Sequence, residues 1–170
     1  MNAKEWLRRE DEMARQGRIE RLQWLLEHTP ENKTWLFHDG IISQRLFEQT
    51  RYCFVYGLYL ATIILGMSFI EHTLAALLFA SGRDDLERAN LTVLIDNAYE
   101  KRWINQEEKD ALHTARIIRN DVTHFRKPGS KNLFQRETFG VPQEIENFLE
   151  IKAQQVLLVV FNLLNFTSVR

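Results

Sequence analysis

Residues 52–70 carry no charged side chain, and that run is close to the ~20 residues with which an apolar helix crosses a bilayer. A chain with such a segment either buries it at the centre of a helical bundle or places it in lipid. Tyr52, Tyr56, Tyr59, Thr62 and Ser68 interrupt the run, and Gly57 and Gly66 loosen it. Glu71 and His72 follow before the apolar pattern resumes at residues 74–79. No cluster of Lys or Arg marks a cytoplasmic flank, as a membrane span would require. A helix apolar on all sides is also what the middle of a bundle needs. The buried-helix reading is therefore the one carried forward, with a membrane-associated helical protein as its competitor.

The 170 residues, 45% of them hydrophobic, suffice for one core, so a single domain over 1–170 is expected. Lys and Arg number 22 against 23 Asp and Glu. No bulk positive field holds a long nucleic acid by counterion release, so any RNA contact must come from a local patch. Cys53 is the only cysteine, which excludes an internal disulfide and a thiolate zinc cluster. There is no Gly-rich phosphate loop, no His-Glu-x-x-His and no cysteine pair. Neither a metal nor a cofactor is expected. Residues 1–11 are dense in charge and lack the apolar core of a secretory signal, so the expected compartment is the cytoplasm.

Pro30, Pro128 and Pro142 read as punctuation between helices. A charged first helix over residues 4–28, with Trp6, Met13, Leu22 and Leu25 as a sparse stripe, belongs on the surface. Trp35, Leu36 and Phe37 beside the Asp39-Gly40 turn point to a connection packed down on the core. Residues 43–80 form a long central helix, or two helices broken near Gly57 or Gly66, closed by Gly82 in a left-handed cap. A helix opens at Asp84 or Asp85 and runs to about Trp103. Asn105 with Glu108 three residues on resembles a capping box and starts a fourth helix that extends to about Phe125. Pro142 suits the first turn of a last helix reaching about Thr167. Its Val156–Phe161 run is β-branched, but it lies in a long periodic segment without a turn signal, so helix is favoured. The sum is an all-α, up-and-down bundle of about five helices.

On the fourth helix, Ala111, Ala115, Ile118, Val122 and Phe125 fall in one arc at ~100° per residue and mark the core face. His113, Ile117, Asn120 and His124 follow a four-three-four spacing on roughly the opposite side, flanked by Arg116 and Arg119. A polar stripe with a lone isoleucine fits a cleft or subunit contact, although a solvated face with scattered basic residues has the same spacing. Glu71, a lone carboxylate in an apolar helix, needs a partner, and Arg119 is a candidate.

Arg119 followed directly by Asn120, with His124 after four intervening residues, resembles the Arg-x4-His motif of HEPN domains. The Phe69-Ile70-Glu71-His72-Thr73-Leu74-Ala75-Ala76-Leu77-Leu78 segment is similar to the central helix of many members, and the likeness covers residues 57–127. The resemblance implies a metal-independent endoribonuclease in which a ribose 2′-hydroxyl attacks the neighbouring phosphate, leaving a cyclic phosphate and a 5′-hydroxyl. On that reading Arg119, Asn120 and His124 are catalytic. Imidazoles titrate near ~6.5 and suit proton transfer at neutral pH, so His124 is the general acid/base. Arg119, a fork-shaped permanent cation, meets the phosphorane charge. Asn120 orients the imidazole or holds a phosphate oxygen. Arg116, His113, Arg126 and Lys127 are the RNA- or phosphate-binding candidates, and Glu71 supports Arg119.

Residues five apart on a helix point ~140° from one another, so Arg119 and His124 of one chain do not form a side-by-side pair. HEPN domains place two motifs across a dimer interface, and the resemblance implies a homodimer here too. A toxin or phage-defence role, with an antitoxin or nucleotidyltransferase partner, comes from the same likeness. Toxins of that family that are neutralised by nucleotidyl transfer carry a tyrosine two residues after the histidine; here Arg126 stands there. The alternative is a non-catalytic module that binds nucleotide, RNA or protein.

Overall fold

A computed structural model describes residues 2–30, 34–124 and 142–167. Among them lie six α-helices: α1 (Ala3–His28), α2 (Ile41–Val55), α3 (Tyr59–Ala80), α4 (Leu91–Glu100), α5 (Gln106–Thr123) and α6 (Pro142–Thr167), with a 3-10 turn at Asp84–Leu86. No strand occurs among the described residues. The all-α bundle expected from the sequence is the observed architecture, with one helix more than the five anticipated.

The extra helix comes from the long central segment, which breaks at Gly57 and not at Gly66. Gly57 has φ +73°, a left-handed backbone that a residue without Cβ adopts at little cost. The reversed chain is closed by Leu58 N–H donating to Cys53 O at 2.8 Å. Gly66 lies inside α3, and its lack of a side chain has a packing reason: a Cβ there would come within 2.8 Å of Val156 Cγ1 on α6. Gly82, at φ +83°, ends α3 as anticipated, and Arg83 N–H donates to Leu78 O at 3.0 Å.

Two boundaries differ from expectation. The helix placed at Asp84 or Asp85 begins only at Leu91, because Asn90 supplies the cap, its side chain accepting from Val93 N at 3.2 Å. The preceding acidic pair forms only the 3-10 turn. The fourth expected helix, now α5, starts at the foreseen capping box but stops at Thr123. His124 is its cap, in extended backbone at φ −113° and ψ 127°.

Burial explains why the charge-free run folds as it does. α3 packs against α2, α4, α5 and α6, and Ile63, Met67, Phe69, Ile70, Leu74 and Leu78 are buried from those sides. α6 carries Val156, Leu157, Val160, Phe161 and Leu164 into the same core, so the β-branched run is helical as favoured. α1 contributes only Leu25 to the buried set, while Trp35 and Phe37 pack onto the core as a docked connection. α3 and a 144–167 segment of α6 are long and apolar enough to cross a membrane by length and composition, and their apolar windows are 44% and 56% buried within the bundle.

Candidate functional site

The first turn of α5 is fixed by a reciprocal cap, Asn105 Oδ1 accepting from Glu108 N at 2.9 Å and Glu108 Oε2 accepting from Asn105 N at 2.8 Å. Leu112, Ala115 and Ile118 then lock the helix to the core. Ala111 and Val122 are partly buried against it, and Phe125 lies outside the described residues. That packing aims Arg116, Arg119 and Asn120 away from the core, into a groove of about 420 Å³ closed on its other side by Asn90, Leu91, Thr92 and Val93, the cap and first turn of α4. The Nε of Arg116 is buried without a hydrogen-bond partner among the described residues.

Arg119 reaches across to α3, where its Nη2 stands 3.7 Å from Glu71 Oε2. The partner inferred for Glu71 is the one it has. The side chains are 28% and 42% exposed, so the pair is a surface-facing contact rather than a buried ion pair. A guanidinium held by one distant carboxylate keeps most of its donors for another anion.

His124 is exposed at the end of α5, and its N–H donates to Asn120 O at 3.0 Å. Because its backbone is extended, the helical rule that separates it from Arg119 by ~140° no longer fixes its direction. His113 takes a different neighbour: its Nε2 lies 3.6 Å from Asp96 Oδ1 on α4, an oxygen that also accepts from Lys109 Nζ at 2.7 Å. The Lys109 hydrogen bond, with a smaller contribution from His113, holds the Asp96 carboxyl below the usual carboxylate range. The structure thus brings Arg116, Arg119 and Asn120 together and turns His113 to an α4 contact. Ile117 is exposed beside them, and Arg126 and Lys127 lie outside the described residues.

A second cleft, about 600 Å³, runs along the outer face of α3 and is lined by His38, Asp39, Ser68, Glu71, His72 and Phe79 among others. Within it His72 Nδ1 is 2.6 Å from Asp39 Oδ2. A carboxylate can only accept, so that distance makes Nδ1–H the donor, and in the neutral imidazole Nε2 then keeps a free lone pair. In the sequence Asp39 reads only as a turn residue and His72 only as a break in an apolar run. Residues 33 apart give no local signal of such a pair.

Compared with known proteins, the chain gives no significant match to a family model, a curated protein or a solved structure.

Proposed function

We propose that the protein is a metal-independent endoribonuclease of HEPN type, acting in the cytoplasm as a homodimer. The observation that carries this reading is the Arg116, Arg119 and Asn120 groove, with Glu71 bracing Arg119 and His124 exposed one residue past the end of the same helix. The scissile phosphate of RNA sits at Arg119, whose charge meets the charge that builds up on the phosphorus-bound oxygens. Asn120 donates to a phosphate oxygen, and Arg116 holds the neighbouring backbone. His124 moves the proton. In a two-fold dimer the second copy's motif faces the first across the groove. A toxin or phage-defence role, with an antitoxin or a nucleotidyltransferase as partner, follows from the same reading.

The test uses purified protein with mixed single-stranded and structured RNA in EDTA. Cleavage ending in cyclic phosphate and 5′-hydroxyl is expected. His124→Ala should lose ~10²–10⁴-fold, and Arg119→Ala at least as much, with both variants still folded. Light scattering at tens of micromolar should return the dimer mass. Intact RNA, or equal cleavage without His124, overturns the mechanism. The Arg116, Arg119 and Asn120 groove also suits a second reading, a module that binds a nucleotide or RNA without cutting it; retention of labelled RNA without new ends selects that reading.

A further inference from the structure

Transesterification of RNA needs two proton transfers. The 2′-oxygen loses a proton as it bonds to phosphorus, and the 5′-oxygen gains one as its bond to phosphorus breaks. Each chain's Arg-x4-His motif offers a single imidazole, so the second proton transfer falls either to the partner copy's motif or to another group of the same chain. The cleft on α3 holds another, and its surroundings already suit proton transfer. Asp39 on Nδ1 fixes the ring so that Nε2 of the neutral imidazole is the acceptor, and His72 is 46% exposed to whatever enters. Glu71, which lines this cleft, is also the carboxylate beside Arg119, so one side chain joins cleft and guanidinium. At the other end Phe79, 61% exposed, lies two helical turns from His72 on the same α3 face, roughly 10 Å away at ~1.5 Å per residue. An exposed ring at that position gives a base a face on which to stack. The volume of about 600 Å³ falls within the ~300–1,000 Å³ of pockets that take small ligands.

From these observations, and resting on the ribonuclease reading, we propose that Asp39 and His72 form a second proton-transfer pair acting on an unpaired ribonucleotide seated in the α3 cleft. His72 Nε2 takes the 2′-hydroxyl proton while Asp39 stabilises the imidazolium that results. The 2′-oxygen bonds to phosphorus, the bond to the 5′-oxygen breaks, and His124 supplies the proton to that leaving oxygen. The products are a 2′,3′-cyclic phosphate and a 5′-hydroxyl, with no oxidant or co-reactant. Phe79 stacks the base, which a paired nucleotide does not free. His38, Asp39, Glu71 and Glu87 are the titratable groups that share the cleft with His72. Asp39 is engaged by His72 and Glu71 by Arg119, so the phosphate stays at the arginine end.

The experiment measures single-turnover cleavage of one oligoribonucleotide, as a single strand and annealed into a duplex, by wild type, His72→Ala, Asp39→Asn and Phe79→Ala. His72→Ala should lower the cleavage rate ~10²–10⁴-fold with little change in KM, and added imidazole should restore part of it. Asp39→Asn keeps the imidazole and should fall by less. Nitrogen-15 spectra should show Nδ1 of His72 protonated in wild type and that preference lost in Asp39→Asn. Phe79→Ala should raise KM for the single strand roughly tenfold. Circular dichroism checks that each variant is folded. If wild type cuts RNA but His72→Ala cuts as fast, gains nothing from imidazole, or the duplex is cut equally well, this inference falls while the Arg119 and His124 reading stands. If wild type cuts no RNA, both fall together, and a wild-type protein that binds the strand without cutting it identifies the binding module instead.

Discussion

Arg119 and Glu71 meet at 3.7 Å with both side chains partly in water, and that exposure decides what the contact is worth. Screening limits such pairs to about 1 kcal/mol or less. A double-mutant cycle of Glu71→Ala and Arg119→Ala in urea denaturation should therefore return a coupling below about 1 kcal/mol; a coupling of several kcal/mol would mean that the pair is buried in the protein as it exists. The contact matters more for aim than for stability. Glu71→Gln should leave the unfolding midpoint nearly unchanged while lowering RNA cleavage, because the arginine loses the charge that holds its fork against α3. His113 and Asp96 show how a residue in the right helical stripe can still be drawn elsewhere: Lys109 brings the carboxylate to that part of α5, and the histidine follows it.

Among the elements, α3 is held by two features that local pattern does not display. Tyr59 donates to Glu150 Oε2 on α6 at 2.7 Å and accepts from Arg21 Nη1 on α1 at 3.3 Å, so one phenol joins three helices. Burial, followed by the hydrogen bond to Glu150, pushes its pKa up to about 12. An unfolded tyrosine ionises near ~10, so the folded state holds the proton more tightly between those values. This contribution to stability is complete below pH ~10 and is lost as pH rises toward about 12. Tyr59→Phe should cost about 1–2 kcal/mol at neutral pH and flatten that alkaline decline in pH-dependent denaturation. Gly66 is the second feature. Gly66→Ala gains up to about 1 kcal/mol of helix propensity but drives a Cβ to 2.8 Å from Val156 Cγ1; the overpacking, about 1–3 kcal/mol, should win. Thermal denaturation reads the sign, and Gly66→Ala with Val156→Ala should recover part of the loss.

For the whole molecule, the physical issue is the solvent of α3 and α6. Both are long and apolar enough to cross a membrane, yet each turns about half of its apolar window onto the bundle. Along the outward face of α3, Ser68, Glu71 and His72 line an open cleft, and polar groups of that kind are costly in hydrocarbon. The protein is expected to stay dispersed in detergent-free buffer after ultracentrifugation of a cell lysate. Recovery only from the membrane fraction, with detergent needed to keep it dispersed, would refute the bundle-core assignment of α3.

The residues that pattern alone made legible are those whose reasons are local. The capping box at Asn105 and Glu108, the left-handed Gly82, the core arc through Ala115 and Ile118, and the helical Val156–Phe161 run each follow from backbone chemistry or from periodicity. The sequence also narrowed the charge-free stretch at residues 52–70 to a bundle centre or a bilayer, and showed that Glu71 needed a partner. Tertiary structure decided what depends on neighbours far along the chain. It put the break at Gly57, whose backbone is left-handed, and used Gly66 instead for the close approach of Val156, which leaves no room for a Cβ there. It set the first turn of α4 against Arg116 and Arg119, and it brought Asp39 to His72. No periodicity encodes such a meeting, since the two side chains touch only after α2 has folded back along α3 and the turn at residue 39 has been pinned by the packing of Phe37 beside it.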